Sequence, residues 1–216
     1  MADYFILMGD VIGSRRLQAA KLRQQLKSLL SACNRDLKRR ILSPYTTTLG
    51  DEFQGIAKSL RATAECIFYL EDTRIKKQYD FKIRYVVHYG EIQTPINRAV
   101  AYEMMGPGLT QARALLTDRR RGQPRFLFAL PEKRLAENLT RLGRVLEGLS
   151  DRWDQRDYLL ISDMLSNPNN EEVAEKHGKN RSQIWKRRKH LLVEEYRLTQ
   201  AVLFDLIDAA EVGSRK

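Results

Sequence analysis

The ten residues Thr46-Thr47-Thr48-Leu49-Gly50-Asp51-Glu52-Phe53-Gln54-Gly55 constrain this chain most. β-Branched threonines favour extended backbone, and Gly50 permits a tight turn in which backbone approaches backbone or ligand. The segment predicts a hairpin whose tip carries two adjacent carboxylates. Upstream, Tyr4-Phe5-Ile6-Leu7-Met8 is a continuous apolar run that passes through Gly9-Asp10-Val11-Ile12 to Gly13-Ser14-Arg15 and a basic, periodic segment. That is the pattern of a buried strand, a loop and a helix.

An aspartate leaving a central strand beside a second one at a hairpin tip is how palm-type nucleotidyl transfer sites hold two divalent ions, about 3.5–4 Å apart. All-oxygen ligands select magnesium or manganese. Asp10, Asp51 and Glu52 are therefore the candidate metal ligands. Taken singly each has a plainer explanation, Asp51-Glu52 as an exposed turn and Asp10 as a helix cap. In this order along one chain they favour a site.

The periodicity predicts strand 4–10, helical 17–40, strand 44–49, a turn, strand 52–57, helix 59–77, strand 81–88, a turn, strand 90–94, helix 104–117 and strand 125–129. This order describes an α+β sandwich of ferredoxin-like, palm type, with a mostly antiparallel sheet and helices on one face. The 216 residues, 43% hydrophobic, suffice for one medium and one small domain. Gly143 and Gly148 thin the helical pattern before Asp151-Arg152-Trp153-Asp154 opens a new amphipathic helix, so the expected domains are 1–148 and an all-α unit of 149–216. No stretch approaches the roughly 20 apolar residues of a membrane span, and the N-terminus lacks a secretion-signal pattern. A cytoplasmic protein without membrane contact is expected. Cys33 and Cys66 read as buried thiols without a chemical role, and three scattered histidines leave little room for zinc.

The net charge of +11 suggests polyanionic partners. Residues 151–216 hold twelve basic and twelve acidic residues, so the excess lies in residues 1–150, with 26 basic and 15 acidic. It clusters at Lys21 to Arg40 and at Arg119-Arg120-Arg121, where solvated helix faces explain most of it, although a triple arginine could attract triphosphates.

In the C-terminal part, Ser166-Asn167-Pro168-Asn169-Asn170 is a turn whose last asparagine can cap a helix over 171–177, which Gly178 ends. A further helix starts at Arg181, and the spacing of Val173, Ala174, Gly178 and Ile184 fits a helix-turn-helix. Between Lys179 and His190 stand six basic residues and no acid, the footprint of DNA binding. Asn180, Arg181, Ser182, Gln183, Lys186 and Arg187 are the candidate DNA contacts. A three-helix bundle used for dimerisation is the alternative. The apolar stripe from Leu191 to Ile207 is suited to packing the domains together or to pairing subunits, and a homodimer is expected.

Four segments in order resemble class III nucleotidyl cyclases and diguanylate cyclases. Asp10-Val11-x-Gly13 resembles their first metal motif, which implies metal contacts from the Asp10 carboxylate and the Val11 carbonyl and a phosphate cradle at the amides after Gly13, including Ser14. Gly50-Asp51-Glu52-Phe53 resembles the second-metal hairpin. Lys82 to Ile92 resembles the following hairpin, with His88 structural. Gly106-Pro107-Gly108 to Leu115 resembles the helix that supplies an asparagine and an arginine to the transition state. Here Thr110 stands at the asparagine position and Ala114 at the arginine position, while Arg113 is displaced by one residue, about 100° around a helix. Thr47 stands where adenylyl cyclases carry a purine-selecting lysine.

Over its whole length the chain resembles the SatD family of bacterial proteins, through Gly9-Asp10 to Ser14-Arg15 and Leu49 to Gly55. The C-terminal part is similar to the DNA-recognition region of sigma factors. Together these resemblances imply a palm that binds a nucleoside triphosphate with magnesium or manganese, coupled to a DNA-binding helix-turn-helix. The alternatives are an active metal-dependent nucleotidyl transferase or cyclase, and a non-catalytic dimeric scaffold.

Overall fold

The computed structural model describes residues 2–118 and 122–213, so Arg119-Arg120-Arg121 lies outside the described residues. The central strand is β1 (Ala2–Ile12), and α1 (Ala19–Asp36) leads from it to β2 (Ile41–Thr47), which returns as β3 (Glu52–Ala57). Then α2 (Leu60–Lys76) leads to β4 (Lys82–Ile92). The sheet order is β2-β3-β1-β4-β5, with β1 antiparallel to both β3 and β4 and β2 antiparallel to β3. Up to β4 this is the ferredoxin-like βαββαβ plan. After α3 (Pro107–Thr117), β5 (Phe126–Ala129) joins parallel to β4, because a helical crossover brings the chain back in the same direction. The sheet is therefore mixed: mostly antiparallel, as expected, with one parallel pair at its edge.

Both faces of the sheet are covered. Leu7, Val11, Phe53, Ile83 and Val87 pack with Leu26 of α1 and Ile67 of α2. On the opposite face Ile6, Met8, Ile56 and Val86 pack with Ala112 and Leu116 of α3. The expectation of helices on one face is corrected for a simple reason: β1 is apolar at both odd and even positions, and Ile56 of β3 and Val86 of β4 extend its even side, so each face needs a cover.

A second correction concerns β4. The expected turn before Gly90 does not form; β4 runs unbroken alongside β1, from Ala2 opposite Ile92 to Ile12 opposite Lys82. Gly90 instead lets α3 touch the strand, since a Cβ there would lie 2.9 Å from the Gly108 Cα.

The expected boundary at 148/149 falls in the last turn of α4 (Lys133–Ser150). Beyond it come α5 (Tyr158–Ser166), α6 (Asn170–Lys176), α7 (Arg181–His190) and α8 (Val193–Gly213). α8 returns to lie along α4 and α2, where Arg61 pairs with Asp208 at 2.5 Å and the Phe68 and Phe204 rings sit 5.4 Å apart. One buried apolar cluster runs from Leu7 in the sheet to Ile207 in α8. No described helix is long and apolar enough to cross a membrane.

A buried ionic network ties the sheet to the C-terminal helices. Glu71 of α2 accepts from the Tyr85 hydroxyl at 2.8 Å, from Arg74 at 3.2 Å and from Arg125. Arg74 also donates to the Tyr158 hydroxyl of α5 at 3.0 Å, and Arg125 to Asp151 at 2.9 Å. Burial alone pushes the Glu71 carboxyl up, but the Arg125 and Arg74 guanidiniums outweigh it and hold it at about 2.

Candidate functional site

Asp10 lies near the end of β1 and is 2% exposed. Glu52 on β3 and Arg84 on β4 stand directly opposite it. Directly opposed residues of antiparallel strands present their side chains on the same face, so the three form a row across the sheet on the α3 side. The Arg84 Nε and Nη1 atoms are buried with no hydrogen-bond partner among the described residues. Burial of Ala112 and Leu116 against the sheet sets the rotation of α3. That rotation leaves Ala114 exposed and lets Arg113 reach the row, with its Nη1 3.5 Å from Glu52 Oε2. The arginine displaced by one position in sequence thus still meets the hairpin acid.

The other expected nucleotide contacts group on the α1 side. Ser14, Gly50 and Asp51 line a cleft of about 190 Å³ together with Arg23. The Val11 side chain is buried in the α1/α2 core, and its N–H donates to the Asp51 carbonyl at 3.0 Å. Gly13 (φ 71) and Gly50 (φ 82) take left-handed conformations that glycine tolerates without strain. Past Gly13 the chain makes a single 3₁₀ turn over Ser14–Arg16, and α1 begins at Ala19. The helix terminus expected to cradle phosphate directly after Gly13 is therefore displaced.

Among the described residues no three His, Cys, Asp or Glu side chains gather closely enough to cage a metal ion. Asp10 facing Glu52 offers two carboxylates and only oxygen donors, which fits magnesium held jointly by one or two protein carboxylates and a ligand's phosphates.

Sequence reasoning missed the strap over the hairpin. Ser43 donates to the Asn97 carbonyl at 2.6 Å, the Ala101 N–H to Thr46 Oγ1 at 3.2 Å, Gln54 to the Ala101 carbonyl, and the Tyr102 hydroxyl to the Thr47 carbonyl. These bonds hold the connection between β4 and α3 against β2 and β3. Its sequence mixes polar and apolar residues without a regular period, and so gives no element signal, although Ala101 and Met104 are buried. His88, expected to be structural, sits 3.0 Å from Gln111 Oε1 on α3.

In the C-terminal part, α6 and α7 meet at a short turn through Gly178 (φ 59), with Val173, Ala174 and Ile184 buried. Asn169 caps α6, one residue earlier than expected, and Asn170 instead accepts from Arg188 at 2.8 Å. Asn180 and Gln183 form a reciprocal capping box: the Gln183 N–H donates to Asn180 Oδ1 at 2.9 Å and the Asn180 N–H to Gln183 Oε1 at 3.0 Å. Arg187 pairs with Asp157 at 2.5 Å. Arg188 is buried and donates to the Met164 and Asn167 carbonyls, each at 2.8 Å. Arg181, Ser182 and Lys186 are exposed, together with Trp185 and Lys189.

Fold and site define an α+β protein of ferredoxin-like plan, with a row of acids and arginines at the end of its first strand and a helical unit packed on its flank. The chain belongs to the SatD family, whose profile matches residues 4–207. No curated protein matches it. Among solved structures it is similar to a bacterial light-regulated adenylyl cyclase, at 11% identity over 59% of this chain and 75% of that one, with a TM-score of 0.42. It is also similar to the catalytic core of a rhodopsin-guanylyl cyclase with converted specificity in complex with ATPαS, at 14% identity over 54% of this chain and 72% of that one, TM-score 0.34.

Proposed function

We propose that this protein is a nucleotide-responsive DNA-binding regulator, in which the α3 face of the sheet takes a nucleoside triphosphate with a divalent ion and the α6–α7 pair docks on DNA. The observation that carries the reading is the row Asp10, Glu52 and Arg84 with Arg113 at its edge. Carboxylates beside guanidiniums complement a metal–phosphate pair, the acids taking the cation and the arginines the phosphate oxygens. Asp10 and Glu52 would hold magnesium or manganese, which neutralises triphosphate charge. Arg113, now on Glu52, would turn to phosphate. Ser14, Gly50 and Asp51 would contribute from the cleft on the other side of the hairpin tip, and Val11 and Gly13 through their backbone.

On the DNA side, Arg181, Ser182 and Lys186 would meet the sugar–phosphate backbone, with the amide nitrogens of the capping pair Asn180 and Gln183 nearby. Arg187 would act from its pair with Asp157.

The test measures binding of labelled nucleoside triphosphates with magnesium or manganese and analyses the same mixtures for products. Binding is expected to require the metal, to fall about tenfold or more in Asp10→Asn and in Glu52→Gln, and to fall less in Asp51→Asn, with the nucleotide unchanged. Turnover abolished by Asp10→Asn would make the palm an enzyme. Absence of nucleotide affinity would leave a scaffold.

A further inference from the structure

Arg181, Trp185 and Lys189 are spaced four apart on α7, so they form one stripe along the helix, with Lys186 beside it. Trp185 is 53% exposed, whereas the chain's other tryptophan, Trp153, is 5% exposed and donates to the Leu191 carbonyl at 2.8 Å. The indole of Trp185 thus stands open to solvent with exposed cations on either side of it along the helix.

The surrounding side chains narrow the ligand. The amide oxygens of Asn180 and Gln183 are spent on the capping box. Arg187 is held by Asp157, and Arg188 is buried in the contact between α5, α6 and α7. Most groups able to read a base edge bidentately are therefore committed within the protein. What α7 offers outward is mainly positive charge and one indole face.

An indole face stacks on a base face. In a duplex the base faces are covered by their neighbours and only edges are open in the grooves, whereas in a single strand they are available. We infer that α7 binds a single-stranded or locally melted segment of nucleic acid, with one unpaired base stacked on Trp185 and phosphates on Arg181, Lys186 and Lys189. This rests on the nucleic-acid half of the function proposed above and names its substrate class.

The full-length protein is titrated with a short single-stranded oligodeoxythymidine and with a mixed-sequence duplex, following tryptophan fluorescence and, separately, anisotropy of the labelled oligonucleotide. The Trp185→Phe variant isolates the Trp153 signal. The single strand is expected to quench Trp185 and to bind more tightly than the duplex. Trp185→Ala should weaken single-strand binding roughly 5- to 150-fold, the range of one base stack, while Trp185→Phe retains part of it. Circular dichroism of each variant checks that the helices persist.

Equal binding of both oligonucleotides, unchanged by Trp185→Ala, overturns the stacking inference and leaves the DNA reading intact. No binding of either overturns both. A change in sedimentation of Trp185→Ala without a change in oligonucleotide affinity overturns the inference and assigns the indole to self-association.

Discussion

Glu71 is the residue on which the buried charges balance. Two guanidiniums and a phenol converge on a carboxylate that has no exposed surface. Removing its charge in Glu71→Gln leaves Arg74 without its buried counter-ion and Arg125 with Asp151 alone, and the expected cost is about 3–5 kcal/mol, read as a lower urea midpoint. The pH dependence follows from the same group. Its carboxyl sits at about 2 when folded against an ordinary value of 4.5, so the unfolded chain binds the proton more readily. The stabilisation is complete above about pH 4.5 and is lost as pH falls toward 2; a urea series across that window should show it, and the series for Glu71→Gln should be flatter. None of this was legible in sequence, where Leu70-Glu71-Asp72 reads as an ordinary solvated helix turn and Arg125 follows a Gln-Pro turn. By contrast Asp10, Gly50, Asp51 and Glu52 stood out as candidates from sequence, because although each has a plain local explanation, an acid ending an apolar run and a Gly-Asp-Glu tip occur in order along one chain.

At the scale of elements, α3 decides the geometry of the site. It lies on β4 through two glycines: a Cβ on Gly108 would be 2.7 Å from the Gly90 carbonyl carbon, backbone against backbone. Gly108→Ala must therefore lift the helix from the strand, at an expected cost of about 1–3 kcal/mol by thermal or urea unfolding. Arg113 rides on α3, so the same variant should weaken nucleotide binding although it touches no ligand. The helix itself was readable from its Gly-Pro-Gly start and apolar spacing. Its seat on the second face was less so, because the strand pattern says that both faces are covered without saying by what. Gly90 misled for a related reason: a glycine in a strand signals either a turn or a close approach, and the approaching partner, Gly108, is eighteen residues further on.

At the scale of the whole molecule, the sheet and the C-terminal helices are joined by buried contacts. The Glu71 network joins β4 and β5 to α5 through Arg74–Tyr158 and leads on to Asp151 through Arg125, and α8 packs back on α2. Coupling between a nucleotide on the palm and nucleic acid on α7 must be reciprocal. If saturating nucleotide with magnesium changes oligonucleotide affinity by some factor, saturating oligonucleotide should change nucleotide affinity by the same factor, measured by anisotropy in both directions. A factor of one in both directions would mean two independent sites on one scaffold.

By itself the sequence determined most of the elements and their order, though not the unbroken run of β4. It also determined the acids at the strand end and hairpin tip and the basic helix after Gly178, because these follow from periodicity, turn chemistry and charge within a few neighbouring residues. The tertiary structure alone decided that Asp10 faces Glu52 and Arg84 while Asp51 lines the opposite cleft, and that Arg113 reaches Glu52. It also decided that Arg188 is buried and Trp185 exposed on the same helix. Each of these depends on strand register or helix rotation, and both are set by packing between segments far apart in the chain.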